Sequence, residues 1–144
     1  MVLNSDFCIS SYCDNVQIPA FTLKFLISLK NNLYMAKVLF IISSGDEKFD
    51  LAIRLAYNSY NKHLYDDVKV VLFGPSQKRV LTLEGDIKDI FLKLLENGVV
   101  DSACIGVAKS NDLIEQLTDL GLRLEPMGER ISKFVNQGYE VITF

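Results

Sequence analysis

From Lys37 to Phe144, short unbroken apolar runs alternate with segments whose apolar residues recur at three- and four-residue spacing. Lys37–Ile42 reads Lys-Val-Leu-Phe-Ile-Ile, a continuous run rather than an alternation. A strand covered on both faces, as in a parallel sheet, has that signature. Val68–Phe73 is read as the second buried strand and Val99–Ile105 as the third. Between the first two, Ser43-Ser44-Gly45-Asp46 makes a turn with capping residues. A helix is predicted from there to about Lys62, with Leu51, Ala52, Leu55, Ala56 and Ser59 on its apolar face. After the second strand, Gly74-Pro75-Ser76 turns the chain and Val80–Leu83 reads as a short extended piece. Asp86 is the expected cap of the next helix, whose Ile87, Ile90, Phe91, Leu94 and Leu95 form one buried stripe. Ser110 or Asn111 is expected to cap a helix carrying Leu113, Ile114, Leu117 and Leu120. Leu122–Leu124 is a short strand. A last helix near Gly128–Asn136 presents Met127, Ile131, Phe134 and Val135, and Tyr139–Phe144 is the closing strand.

Three helices end alike, at Asn97-Gly98, Leu120-Gly121 and Gln137-Gly138, each followed at once by a strand. Glycine adopts the left-handed conformation after a helix without steric cost. Helices alternating with strands through short connections imply βαβ units with right-handed crossovers, stacked as a three-layer sandwich. The first 34 residues read differently. Met1–Gln17 is polar and aperiodic, and Ile18–Tyr34 holds a short helix or strand around Phe21–Leu29. Met35-Ala36-Lys37 opens the strand pattern as natural protein starts often do. The α/β domain is therefore placed at residues 35–144, with residues 1–34 as an N-terminal extension: a mis-assigned start, or an arm that packs on the core or a neighbouring subunit.

A chain of 144 residues, 49% apolar, fits one domain with a core that needs no disulfide staples. Its mean hydropathy of +0.21 hints at apolar surface covered by partner subunits. Net charge is −3 and the 15 Lys and Arg are scattered, which argues against nucleic acid as a partner, since phosphate binding needs a concentrated basic face. Cys8, Cys13 and Cys104 are odd in number and irregularly spaced, so they form no disulfide framework; a reducing, cytoplasmic compartment follows by default. With His63 the only histidine and no Cys-x-x-Cys pair, no metal site is expected. Ile18–Leu29 is interrupted by Lys24, is too short to span a bilayer and follows no basic segment, so neither a membrane span nor a signal peptide is read there.

Ligands of open α/β sheets bind beyond the carboxyl ends of the strands. Three such ends carry candidates: Ser43-Ser44-Gly45, Gly74-Pro75-Ser76 and Cys104-Ile105-Gly106, with Lys109 nearby. Cys104 is the reactive group among them. A thiol works as its thiolate, which a helix N-terminus and a cation such as Lys109 would favour. The plain alternative is a buried cysteine acting as a small hydrophobe. Ser43-Ser44-Gly45-Asp46 could cradle an anion, but it lacks the phosphate-loop pattern and reads first as an N-cap turn with Asp46 as the cap. His63 suits a helix C-terminus, Asp66-Asp67 a solvated turn, and Tyr57, Tyr60 and Tyr65 a packed or subunit-facing surface.

Lys37–Gly45, Val68–Pro75, Leu94–Ala108 and Gly138–Phe144, taken in order and spacing, resemble the DsrE/DsrF-like family. The third stretch carries most of the resemblance: a helix leading through Gly98 and an apolar strand to Cys104 and then small residues. The resemblance implies a three-layer α/β/α sandwich around a mainly parallel five-stranded sheet. It also implies a homo-oligomer, a trimer or hexamer, that takes sulfane sulfur from a donor protein and hands it to an acceptor. Cys104 would be the persulfide-carrying residue, with Ser43, Ser44, Gly45, Gly74, Ser76, Gly106 and Lys109 lining the substrate side and no cofactor needed. The chain departs from the family in the turn after the cysteine. Sulfur-transfer members commonly carry arginine and glycine there, and this chain reads Lys109-Ser110-Asn111-Asp112. A non-catalytic ligand-binding or scaffolding module of the same fold is the alternative, and a thiol peroxidase lacks a resolving cysteine in the domain.

Overall fold

The structure, a computed structural model, describes residues 35–144. The expected segment around Phe21–Leu29 and the cysteines Cys8 and Cys13 lie outside the described residues. Five strands form one sheet: β1 (Lys37–Ile42), β2 (Asp67–Leu72), β3 (Val100–Cys104), β4 (Leu124–Glu125) and β5 (Tyr139–Thr143). Their order is β4-β3-β2-β1-β5 and every pairing is parallel. β2 is the central strand, and β1 lies between β2 and the edge strand β5, with Lys37 opposite both Asp67 of β2 and Tyr139 of β5. The β2–β3 register shifts between Val70 and Val71, an irregularity just before the strand ends that carry the site.

Six helices connect the strands: α1 (Glu47–Asn61), α2 (Ser76–Val80), α3 (Gly85–Glu96), α4 (Ile105–Ser110), α5 (Ile114–Asp119) and α6 (Met127–Asn136). Side chains alternate across the strands, so each strand feeds two clusters. Val38, Phe40 and Ile42 of β1, with Val70 and Leu72 of β2, join Phe49, Ile53, Phe91, Leu94, Leu113 and Leu117 in the larger one. Leu39 and Val71 join Cys104, Met127 and Phe134 in the smaller one. The helices that follow β1, β2 and β3 thus cover one face and α6 covers the other. This is the three-layer α/β/α sandwich with a parallel five-stranded sheet. Gly98, Gly121 and Gly138 take φ of 68°, 93° and 82°, the left-handed ends expected of them. Among the described residues, no helix is long and apolar enough to cross a membrane.

Several local expectations need correction. The inner face of α1 is Phe49, Ala52, Ile53, Ala56 and Ser59, while Leu51 and Leu55 are 63% and 44% exposed. Ala52, Ala56 and Ser59 fit a stripe through either neighbour, and packing against the Phe91 ring selected Phe49 over Leu51. Val80–Leu83 is no strand: Val80 ends α2, and Leu81 and Thr82 continue as a turn. α3 begins at Gly85, with Glu84 rather than Asp86 at its N-cap; the Asp86 carboxylate instead meets Arg54 of α1 at 2.7 Å. The helix expected from Ser110 or Asn111 begins later, as α5 with Leu113 at its N-cap, a separate short helix α4 ends at Ser110, and β3 stops one residue earlier, at Cys104. Val135, expected on the buried face of α6, is 50% exposed.

Candidate functional site

The chain leaves the carboxyl end of β3 into α4 and α5, whose Ala108, Leu113 and Leu117 pack into the larger cluster. It leaves the carboxyl end of β4 into α6, on the opposite face. Neighbouring strands whose following helices diverge in this way leave a crevice between them, where open α/β sheets hold their ligands. Cys104 and Glu125 are register partners at that point. Cys104 is the last residue of β3 and the N-cap of α4, and its side chain makes no capping hydrogen bond. Its thiol is free and packs with Leu39, Val71, Met127 and Phe134, leaving the residue 8% exposed. A Cβ on Gly106 would sit 3.9 Å from Sγ, so the glycine leaves the first turn of α4 open beside the sulfur.

A buried ion pair secures α6 over this thiol. Asp101 of β3 accepts hydrogen bonds from Arg130 Nε (2.7 Å), Arg130 Nη2 and Ser102 Oγ (2.8 Å), and Arg123 Nη2 stands 3.8 Å away. Burial pushes the Asp101 carboxyl up, but the hydrogen bonds from Arg130 and Ser102 and the charges of Arg130 and Arg123 outweigh it and hold it below the ordinary aspartate value. Arg130 also lies over the Phe134 ring, 4.7 Å from its centroid. A charged residue within a run as apolar as Val99–Ile105 was the available signal for such a pair, because buried carboxylates require partners. At the other end of the same face, Tyr139 donates its hydroxyl to Asp67. Burial and the Asp67 carboxylate raise the Tyr139 phenol well above its usual range.

The other sequence candidates gather along the same sheet edge, several of them in structural contacts. Ser43 N–H, Ser43 Oγ–H and Ser44 N–H converge on the Phe144 carbonyl at 2.7, 2.8 and 3.3 Å. Asp46 caps α1 as expected, accepting from Lys48 N–H at 3.0 Å. A Cβ on Gly45 would come within 3.0 Å of Pro75 Cβ and 3.1 Å of its carbonyl oxygen, so this glycine permits close packing of two loops. Gly74 has a φ of +68°, and the buried Ser76 donates Oγ–H to the Phe73 carbonyl at 3.1 Å. Lys109 is exposed in the last turn of α4, roughly 7.5 Å of helix rise beyond Cys104.

Gln77, which the sequence did not single out, ties the strand ends together. Its wholly buried amide donates Nε2–H to the carbonyls of Cys104 (3.0 Å) and Leu72 (3.4 Å), while its Oε1 has no partner among the described residues. A cavity of about 260 Å³ is lined by Gly74, Pro75, Lys78, Val107, Asn111 and Leu113. A helix-forming Gln-Lys-Arg after Pro75 was the signal for α2, and nothing local pointed to Lys78 meeting Asn111. Cys104 is not in that lining, although Val107 also packs against the Cys104 cluster. Among the described residues, no group of three or more His, Cys, Asp or Glu is placed to hold a metal ion.

No family model and no curated protein matches the chain. Among solved structures, BT1422, a conserved protein of unknown function from Bacteroides thetaiotaomicron, is similar with a TM-score of 0.63 and 21% sequence identity. The match covers 75% of this chain and 95% of BT1422. At that identity the likeness is one of fold, and fold alone does not carry function. The chain is thus similar in fold to BT1422 over nearly all of that protein.

Proposed function

We infer that this is a DsrE/DsrF-like sulfur carrier in which Cys104 accepts a sulfane sulfur as a persulfide and passes it to an acceptor thiol. The observation that supports the reading most is the place of Cys104. It is a free thiol at the carboxyl end of β3, where the helices after β3 and β4 diverge to opposite faces. The family resemblance of Leu94–Ala108 points to the same residue.

The chemistry is exchange at sulfur. The Cys104 thiolate, its proton released to solvent, attacks the outer sulfur of a donor persulfide or of thiosulfate. A bond forms between Sγ and that sulfur. The donor's sulfur–sulfur bond breaks, and its electron pair leaves with the donor thiolate or sulfite. An acceptor thiolate then attacks the carried sulfur and Cys104 departs as thiolate, so the cycle needs no external oxidant or reductant and no cofactor. Because Cys104 is 8% exposed beneath Met127 and Phe134, donor and acceptor reach it through local opening of α6. The reading places the protein in the cytoplasm as a homo-oligomer served by donor and acceptor proteins, with residues 35–144 as the working domain. In this reading Gly106 stands beside the thiol, and Ser43, Ser44, Gly45, Gly74, Ser76 and Lys109 are the proposed substrate side of the strand ends.

Loading the protein with polysulfide, removing the excess and adding a small acceptor thiol tests the relay. Persulfide is expected to appear on the acceptor with a Cys8→Ser/Cys13→Ser chain and not with the same chain carrying Cys104→Ser. Equal transfer by both would overturn the reading. The second reading, a ligand-binding or scaffolding module, is favoured by the burial of Cys104 and by a cavity that excludes it. It predicts that Cys104→Ser keeps full function in the cell.

A further inference from the structure

The cavity between the β2–α2 loop and α4 has a composition that specifies a ligand. Pro75, Val107 and Leu113 give it apolar walls, Asn111 supplies an amide, and Lys78 is the sole charged group in the lining. Its volume of about 260 Å³ lies below the roughly 300–1,000 Å³ of sites for drug-sized molecules, so the occupant is small. The two cations of α2 have different employments. Arg79 is held by Asp50, with Nη2 2.9 Å from Oδ2 and 3.0 Å from Oδ1, whereas Lys78 pairs with no carboxylate among the described residues. We propose that this cavity binds a small organic monoanion, a short apolar body bearing one carboxylate, with the Lys78 ammonium as its counter-charge and Pro75, Val107 and Leu113 against the body.

The walls are held in place without a ligand, as a binding site requires. Gln77 clamps the ends of β2 and β3 through the Leu72 and Cys104 carbonyls. Ser76 N–H donates to the Ser43 carbonyl at 3.2 Å, and Gly45 lets its loop close on Pro75. Asn111, in the lining, donates Nδ2–H to the Val107 carbonyl at 2.9 Å, which fixes its amide and leaves a second N–H unused by that bond. The site goes beyond the sulfur-relay reading and stands without it, because Cys104 takes no part in the lining.

The probe is hexanoate, titrated into the isotope-labelled full-length chain and followed by backbone amide shifts, with hexanamide and inorganic phosphate in parallel. Hexanoate is expected to shift Gly74, Val107 and Asn111 saturably at millimolar concentrations. Hexanamide should bind roughly fivefold more weakly, the scale of one exposed ion pair, and phosphate should leave these residues unmoved. Lys78→Met is expected to bring hexanoate down to the level of hexanamide, while Lys88→Met on α3 changes nothing. Val107→Trp, which fills the cavity, should abolish binding; if that variant fails to fold, Lys78→Met decides. Absence of saturable shifts at these residues overturns the proposal, as do equal binding of hexanamide and hexanoate or a phosphate response equal to that of hexanoate. Cys104→Ser is expected to bind hexanoate as wild type does, so failure of the relay and failure of this site are separate results.

Discussion

Replacing Asp101 by asparagine keeps the shape of the side chain and removes its charge. Asp101 and Arg130 have side chains only 6% and 19% exposed, and the carboxylate accepts two hydrogen bonds from the guanidinium and one from Ser102. Breaking a buried ion pair from one side costs about 3–5 kcal/mol, because the remaining charge keeps its desolvation without its partner. Arg130 retains some contact with water and an asparagine oxygen can still accept one bond, so the low end applies, about 3 kcal/mol. For a domain of this size that corresponds to a fall on the order of 10 °C in Tm. Equilibrium urea unfolding measures it: the midpoint should fall while the slope stays constant. The Arg130→Met variant should lose more, since it strands the more deeply buried partner, and Asp101→Leu/Arg130→Met should lose less than either single change. The pair also has a pH signature. Because the folded carboxyl titrates below its unfolded value of 3.8, its contribution is present above about pH 4 and is lost as pH falls through the folded value. Wild type should therefore lose stability on acidification through this range, and Asp101→Asn should lack that component. A loss below about 0.5 kcal/mol in Asp101→Asn would place the pair with ordinary surface ion pairs and refute its role as the anchor of α6.

Three further outcomes follow from the same geometry. Gly45→Ala should destabilise the domain by about 1–3 kcal/mol in thermal unfolding, because its Cβ would stand 3.0 Å from Pro75 Cβ and 3.1 Å from a backbone oxygen that cannot move freely. Phe134→Leu loosens the cover of Cys104 by about 1.4 kcal/mol and should speed its alkylation in the folded protein about tenfold, read by intact mass; an unchanged rate would mean that access to the thiol does not run through α6. Tyr139 should ionise above the ordinary tyrosine range in an alkaline absorbance titration, since burial and donation to Asp67 oppose its charge, and Tyr139→Phe should remove that late component.

The strands were legible because parallel strands buried on both faces are largely apolar, as Val38–Ile42 and Val70–Phe73 are. Helix ends were legible at Gly98, Gly121 and Gly138, where a local conformational need dictates the residue. What failed was decided by tertiary contacts or by short elements. α2, α4 and α5 have five or six residues each, too few to display an amphipathic period. The choice of Phe49 over Leu51 on α1 depended on Phe91, over forty positions away. Cys104 could be placed at a strand end from its neighbours alone. Its cover could not, because Asp101 and Arg130 are 29 residues apart and meet only once α6 crosses to the second face. The cavity was missed for the same reason: Lys78 and Asn111 belong to different crossovers.

The most direct test of the central claim uses a Cys8→Ser/Cys13→Ser chain, in which Cys104 is the only thiol. Reduced, folded protein is exposed to polysulfide, thiosulfate or tetrathionate, and its intact mass is recorded beside the same chain carrying Cys104→Ser. The account predicts a sulfur adduct on Cys104 that a small thiol removes and that never forms on the serine variant. A Cys104 that stays unmodified, and resists alkylation until the protein is unfolded, would contradict it and leave the cysteine as part of the core.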